Sequence, residues 1–194
     1  FTDSFYPYDV EELLDRVVGY SKKERMTLLH SNHDAHYFFT HPWFRCSGYS
    51  DNTQRLVDEK ISDTVIRKFK LYTHVGDFLV SHAGFHPTTI KYADPVIAEE
   101  AIAEAKVGRF HPVWMPGQCV GGPPGRIGGP TWLRWNVEFE AMAQSQIVGH
   151  TQDKGVRTEA HEASGHVSYC LDSKLRHIMW TDGHNVEIVR LDKE

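Results

Sequence analysis

Met26-Thr27-Leu28-Leu29 and, two residues on, Ser31-Asn32-His33-Asp34 form the stretch on which the fold reading turns. A short apolar run bounded by polar residues reads as a buried strand. Four polar residues then stand at its carboxyl end, where ligands collect in layered α/β folds. The same pattern recurs twice. Phe78-Leu79-Val80 ends in Ser81-His82-Ala83-Gly84, and Gln146-Ile147-Val148 ends in Gly149-His150-Thr151.

Between and around these runs the pattern changes period. Val10, Leu13, Leu14, Val17 and Val18 recur at helical spacing behind Asp9, which predicts a helix over 9–19 with Asp9 as its N-cap. Leu56, Ile61, Val65 and Phe69 predict a second helix over 51–68. An Ala/Glu-rich stretch over 97–105, behind Pro95, predicts a third. A strand is expected at 70–74. Residues 117–130 are rich in Gly and Pro, and a long irregular stretch inside a domain is more often functional than idle; a lid or rim loop is expected there. The tail reads as short strands over 167–171, 178–180 and 186–191, with a turn at Asp182-Gly183. Alternation early and clustered strands late predict an α/β (α+β) chain, a mixed two-sheet β-sandwich flanked by helices. No repeat or linker splits residues 1–194, so a single domain is expected.

Composition narrows the function classes. The 194 residues are 40% hydrophobic and 24% charged, with a formal net charge of −5. An acidic balance without a basic run argues against a partner such as nucleic-acid backbone or an anionic membrane. No stretch approaches the about 18 continuous apolar residues of a membrane span. Cys46, Cys119 and Cys170 are scattered and odd in number, which reads as reduced thiols in a cytoplasmic setting, each a small buried hydrophobe. Thirteen histidines raise the prospect of metal chemistry.

One Asn and two His, each at a strand end, form a partial site for a divalent metal. Neutral imidazole suits Mn, Fe or Zn, and an amide oxygen suits a hard ion. The ordered set Ser31-Asn32-His33-Asp34, His82-Ala83-Gly84 and Gly149-His150-Thr151 resembles the last three of five sequence blocks of the calcineurin-like metallophosphoesterases, in the phosphoprotein phosphatase branch and its bacterial and phage relatives. Phe1-Thr2-Asp3-Ser4 looks like the second half of that family's second block, so the chain reads as lacking an N-terminal metal-binding segment. Two departures stand within the matched blocks: Ser31 replaces the usual Gly, and Ser4 the usual Arg.

The resemblance implies the calcineurin-like fold and metal-dependent hydrolysis of phosphate esters by a metal-activated hydroxide. Two divalent ions would serve the intact protein, manganese first and iron or zinc as alternatives. It makes Asn32, His82 and His150 ligands of the second ion. His33 would be the general acid, with Asp3 orienting it, and Asp34 would support the loop. Arg134, in Trp132-Leu133-Arg134-Trp135, resembles the family's phosphate clamp, since a guanidinium binds phosphate oxygens bidentately; its structural alternative is an Arg packed between two Trp rings. Arg45 is a second candidate clamp. The expected partner is a phosphorylated substrate, whether phosphoprotein, small phosphomonoester or nucleotide. A dinucleoside polyphosphate hydrolase is the alternative within the enzyme class. A catalytically silent binding domain is the alternative outside it.

Overall fold

The computed structural model describes residues 9–191. The chain from Val10 to Ile66 is mainly helical. Helix α1 (Val10–Ser21) starts at Asp9, whose side chain accepts from the Glu11 amide at 2.9 Å and so satisfies a donor the helix leaves open. Strand β1 (Leu28–Leu29) is shorter than the apolar run suggested, and Met26 is exposed. Helix α2 (Asn32–Phe38) begins within the polar motif itself.

The expected helix over 51–68 is two pieces, α3 (Asp51–Lys60) and α4 (Asp63–Ile66). Ile61 breaks it by turning extended (φ −102°, ψ 102°). Its side chain thereby enters a buried cluster with Leu14, Val17, Val57, Val65 and Phe69. Burial of a full aliphatic side chain, worth about 1.5–3 kcal/mol, outweighs the few hydrogen bonds of a continuous helix.

Strands β2 (Phe69–Lys70), β3 (Tyr72–Val75) and β4 (Phe78–Ser81) follow. Helix α5 (Pro95–Lys106) has Pro95 at its first position, where no amide partner is needed, and Asp94 as its cap. After the Gly/Pro-rich loop come β5 (Ser145–Val148), β6 (Arg157–Ala160), β7 (Val167–Cys170), β8 (His177–Thr181) and β9 (Val186–Arg190). Strand β6 has no apolar run and was not legible as a strand. It lies at a sheet edge, where one face needs no burial.

The result is mixed α/β. A five-stranded sheet runs in the order β3-β4-β5-β7-β6. Its central strands β4, β5 and β7 are parallel, and its edges β3 and β6 are antiparallel to their neighbours. Beside it stand a parallel pair, β1 and β2, and an antiparallel hairpin, β8 and β9. The described residues thus form three sheets of five, two and two strands, where two sheets were expected. Parallel pairing of β4 with β5 matters most for the site. It brings their carboxyl ends, and the polar motifs that follow them, to one edge. Among the described residues, no helix is long and apolar enough to cross a membrane.

Candidate functional site

Ser31 is the N-cap of α2. Its hydroxyl accepts from the Asp34 amide at 3.1 Å, and the Asp34 carboxylate Oδ1 accepts from the Ser31 amide at 2.6 Å and from the Ser31 hydroxyl. This capping box gives Ser31 its role: the serine oxygen takes up an amide that glycine would leave open. It also puts Asn32 and His33 at the first two helical positions. Asp34, expected to support a loop, supports a helix start.

His82 follows β4 and His150 follows β5. The two loops are joined directly, because the Gly149 amide donates to the His82 carbonyl at 2.8 Å. Beneath them, buried Gln146 uses both ends of its amide on Phe85, accepting from its N–H and donating to its carbonyl, each at 2.8 Å. His150 has φ +65°, the left-handed region. A non-glycine residue there costs of the order of 1–2 kcal/mol, so the surroundings must hold it. The Thr151 hydroxyl accepts from the Trp135 amide at 2.9 Å, and the Thr151 amide donates to the Gly149 carbonyl at 2.7 Å.

The three side chains meet. His82 Nε2 lies 3.1 Å from Asn32 Oδ1 and 3.1 Å from His150 Nδ1. Two donors each about 2.1 Å from one ion, at tetrahedral to octahedral angles, stand about 3.0–3.4 Å apart. Each of these two separations matches that of two ligands on one ion. Burial, then His150 and His33, holds the His82 pKa well below its ordinary value. Burial, then Arg134 and His33, lowers that of His150 to about 3, against an opposing pull from the Trp132 backbone. Both imidazoles are therefore neutral at pH 7, the form that ligates metal. Among the described residues no cluster of three or more His, Cys, Asp or Glu side chains gathers to hold a metal, so no carboxylate stands with the two imidazoles and the amide.

His33 is half-buried beside this trio, its Nδ1 3.7 Å from Cys46 Sγ. Asp3, expected to orient it, lies outside the described residues. Cys46 was expected as a buried small hydrophobe. It is half-buried instead, its sulfur 2.9 Å from His36 Nδ1. Cys119 is exposed and only Cys170 is buried, so that expectation holds for one thiol of three. His36 carries a pKa lowered to about 4 by burial, then by His33 and Arg45.

Arg45 and Arg134, far apart in sequence, line one cavity of about 570 Å³ with Trp43, Cys46, Val120 and Trp132. The Trp132 ring stands 6.1 Å from that of His150, which joins the cavity to the trio. Arg134 is not packed between the two neighbouring indoles: Trp135 stacks on Phe139 at 3.9 Å. The Arg134 amide donates to the Glu138 carboxylate at 3.0 Å, and the other carboxylate oxygen of that buried residue lies where a side chain at Gly117 would sit. Arg45 also lies over the Tyr49 ring, 5.1 Å from its centroid. The Gly/Pro-rich stretch supplies Val120 and Gly121 to the rim. Sequence reasoning missed Trp43, Cys46 and Ser47 as cavity residues, and no local signal marks them.

No family model matches the chain. No curated protein matches it either. Among solved structures it is similar to a mutant cold-active protein tyrosine phosphatase, at 16% identity and a TM-score of 0.51, over 92% of this chain and 64% of that one. A second cold-active protein tyrosine phosphatase structure aligns at 16% identity with a TM-score of 0.46, over 84% of this chain and 56% of the other. The chain thus spans under two thirds of these structures' length, and at this identity what it shares with the first of them is the fold.

Proposed function

We propose that the protein is a metal-dependent phosphomonoesterase of the calcineurin-like kind. The observation that carries the reading is that His82 Nε2 stands 3.1 Å from both Asn32 Oδ1 and His150 Nδ1, beside a cavity lined by two guanidiniums. The fold shared with a protein tyrosine phosphatase supports it, and makes a phosphorylated protein side chain a natural substrate.

Asn32, His82 and His150 hold one divalent ion, manganese by preference and iron or zinc as alternatives. A bound ion supplies Lewis acidity to a phosphoryl oxygen and to the attacking water. A second ion needs donors beyond these three. Arg134 and Arg45 bind the phosphate oxygens and offset the charge of the transferring group. His33 gives its proton to the leaving oxygen.

The test uses the full-length protein with Mn²⁺ and a simple aryl phosphate. Hydrolysis should stop on chelation and return with metal. His82→Asn should lose metal and activity together. His33→Asn should keep its metal and lose about 10²–10⁴-fold in kcat, more for an alkyl phosphate than for a nitrophenyl one, whose anion leaves without help. Equal losses for both substrates would remove His33 as the acid. Activity indifferent to chelation would remove the reading altogether.

A further inference from the structure

His30 is the most completely buried histidine of the described residues, at 0% exposure. Four aromatic rings surround it: Phe38, Phe39, Phe69 and Trp114, at centroid distances of 6.2, 5.5, 5.2 and 5.4 Å. Its Nε2 is buried without a hydrogen-bond partner. For packing alone an imidazole is the wrong side chain here. A leucine or methionine would fill the same space and strand no polar atom.

What the imidazole supplies is one contact. His30 Nδ1 lies 3.1 Å from Asp34 Oδ2. The other oxygen of that carboxylate, Oδ1, is taken by the Ser31 amide and hydroxyl. Asp34 is itself 2% exposed, so without His30 its Oδ2 would be buried and unsatisfied, and the carboxylate would be free to rotate away from the cap. His30 is fixed in turn by its backbone, whose amide donates to the Lys70 carbonyl at 2.8 Å and ties it to β2. A chain of bonds therefore runs from the β1–β2 sheet through His30 and Asp34 to Ser31. It closes on the helical turn that bears Asn32 and His33.

We propose that His30 and Asp34 are a positioning pair. They hold the first turn of α2 in the one phase that aims Asn32 Oδ1 at His82 Nε2 and sets His33 beside Cys46 of the cavity wall. The inference rests on the phosphatase reading for its catalytic consequence, but its structural half stands without it. Residues behind a metal site that orient its ligands typically change activity about 10–100-fold when removed.

The test compares His30→Leu, which fills the aromatic box and removes the donor, with His30→Asn, whose amide nitrogen occupies the place of Nδ1. Both are made in the full-length protein, with nitrophenyl phosphate and Mn²⁺. His30→Leu should lose about 10–100-fold in kcat with KM within about twofold, and His30→Asn should recover most of it. Amide exchange at Asp34 and Ala35, which needs no activity, should quicken in the Leu variant and stay near wild type in the Asn variant. If the Leu variant does not fold, His30→Met replaces it, since a flexible thioether fills irregular space. A folded Leu or Met variant with wild-type kcat and exchange would overturn the proposal. So would an Asn variant as impaired as the Leu variant in both readouts. A wild-type protein without metal-dependent activity would sink the phosphatase reading alone, and the exchange comparison would still decide whether the pair holds the turn.

Discussion

The centre of the five-stranded sheet and the β8–β9 hairpin are built from similar short strands, yet they end in opposite states. All four residues of β5 are buried, and β4 has Phe78, Leu79 and Ser81 buried. In the hairpin, Ile178, Trp180 and Ile188 are 37, 62 and 39% exposed, and they lie on both of its faces. Strands β4, β5 and β7 have neighbours on both sides. The hairpin docks mainly through its turn. The Asp77 amide donates to the Gly183 carbonyl at 2.7 Å, Gly76 packs against Gly183, and His184 Nδ1 meets Asp77 Oδ2 at 2.6 Å. Strand propensity makes a strand in both places, but burial depends on what covers it. The candidate site stands on the covered sheet, where loop ends can be held to fractions of an ångström.

Mutations can break or sharpen this contrast. The largest effect is expected in the sheet: Leu79→Ala should cost about 2–5 kcal/mol in denaturant unfolding, because Leu79 is 1% exposed and the cavity left behind cannot fully collapse. A loss below about 1 kcal/mol would mean that β4 is not the packed centre described. Next comes the turn. Gly76 has φ +56°, and a Cβ there would fall 2.1 Å from the Gly183 carbonyl oxygen. Gly76→Ala should therefore cost at least about 1–2 kcal/mol from backbone strain alone, with the added clash falling on the hairpin, so faster amide exchange should be confined to β8 and β9.

The ion pair at that turn gives a smaller effect with a sign. Hydrogen bonding to Asp77, then its charge, raises the His184 pKa from the ordinary 6.5. A raised folded-state value means the stabilisation is complete below 6.5 and fades as pH rises through the folded value. The Tm gap between wild type and His184→Ala should be widest below pH 6.5 and shrink as pH rises above it. A gap that widens with pH would contradict the pairing. The smallest effect belongs to Trp180→Ser, expected within about 0.5 kcal/mol, because most of that ring is in solvent. A loss of several times that would show that the hairpin face is covered in the full-length protein, and the contrast would be narrower than drawn here.

Part of this was legible locally. The cap at Asp9, the helix behind Pro95, and the strands ending in His82 and His150 were readable because periodicity, caps and polar punctuation act over a few residues. The break at Ile61 was not, because the extended backbone there is set by a cluster drawn from four helices and β2. Nor was β6. Its Arg157 is held by the Thr151 carbonyl, Asn136 and Cys170, contacts that form only once the sheet has assembled.

The sequence by itself determined that three polar motifs follow three strands, and it named the donors Asn32, His82 and His150. Only the tertiary structure decided that they meet. Parallel pairing puts the ends of β4 and β5 side by side, and the capping box starts α2 at Asn32. Long crossovers bring Arg45 and Arg134 to one cavity, and the fold buries His30 behind Asp34. The reason is physical. Local pattern fixes which backbone a segment prefers, whereas the distance between side chains remote in sequence is fixed by sheet order and packing, which no short window of residues contains.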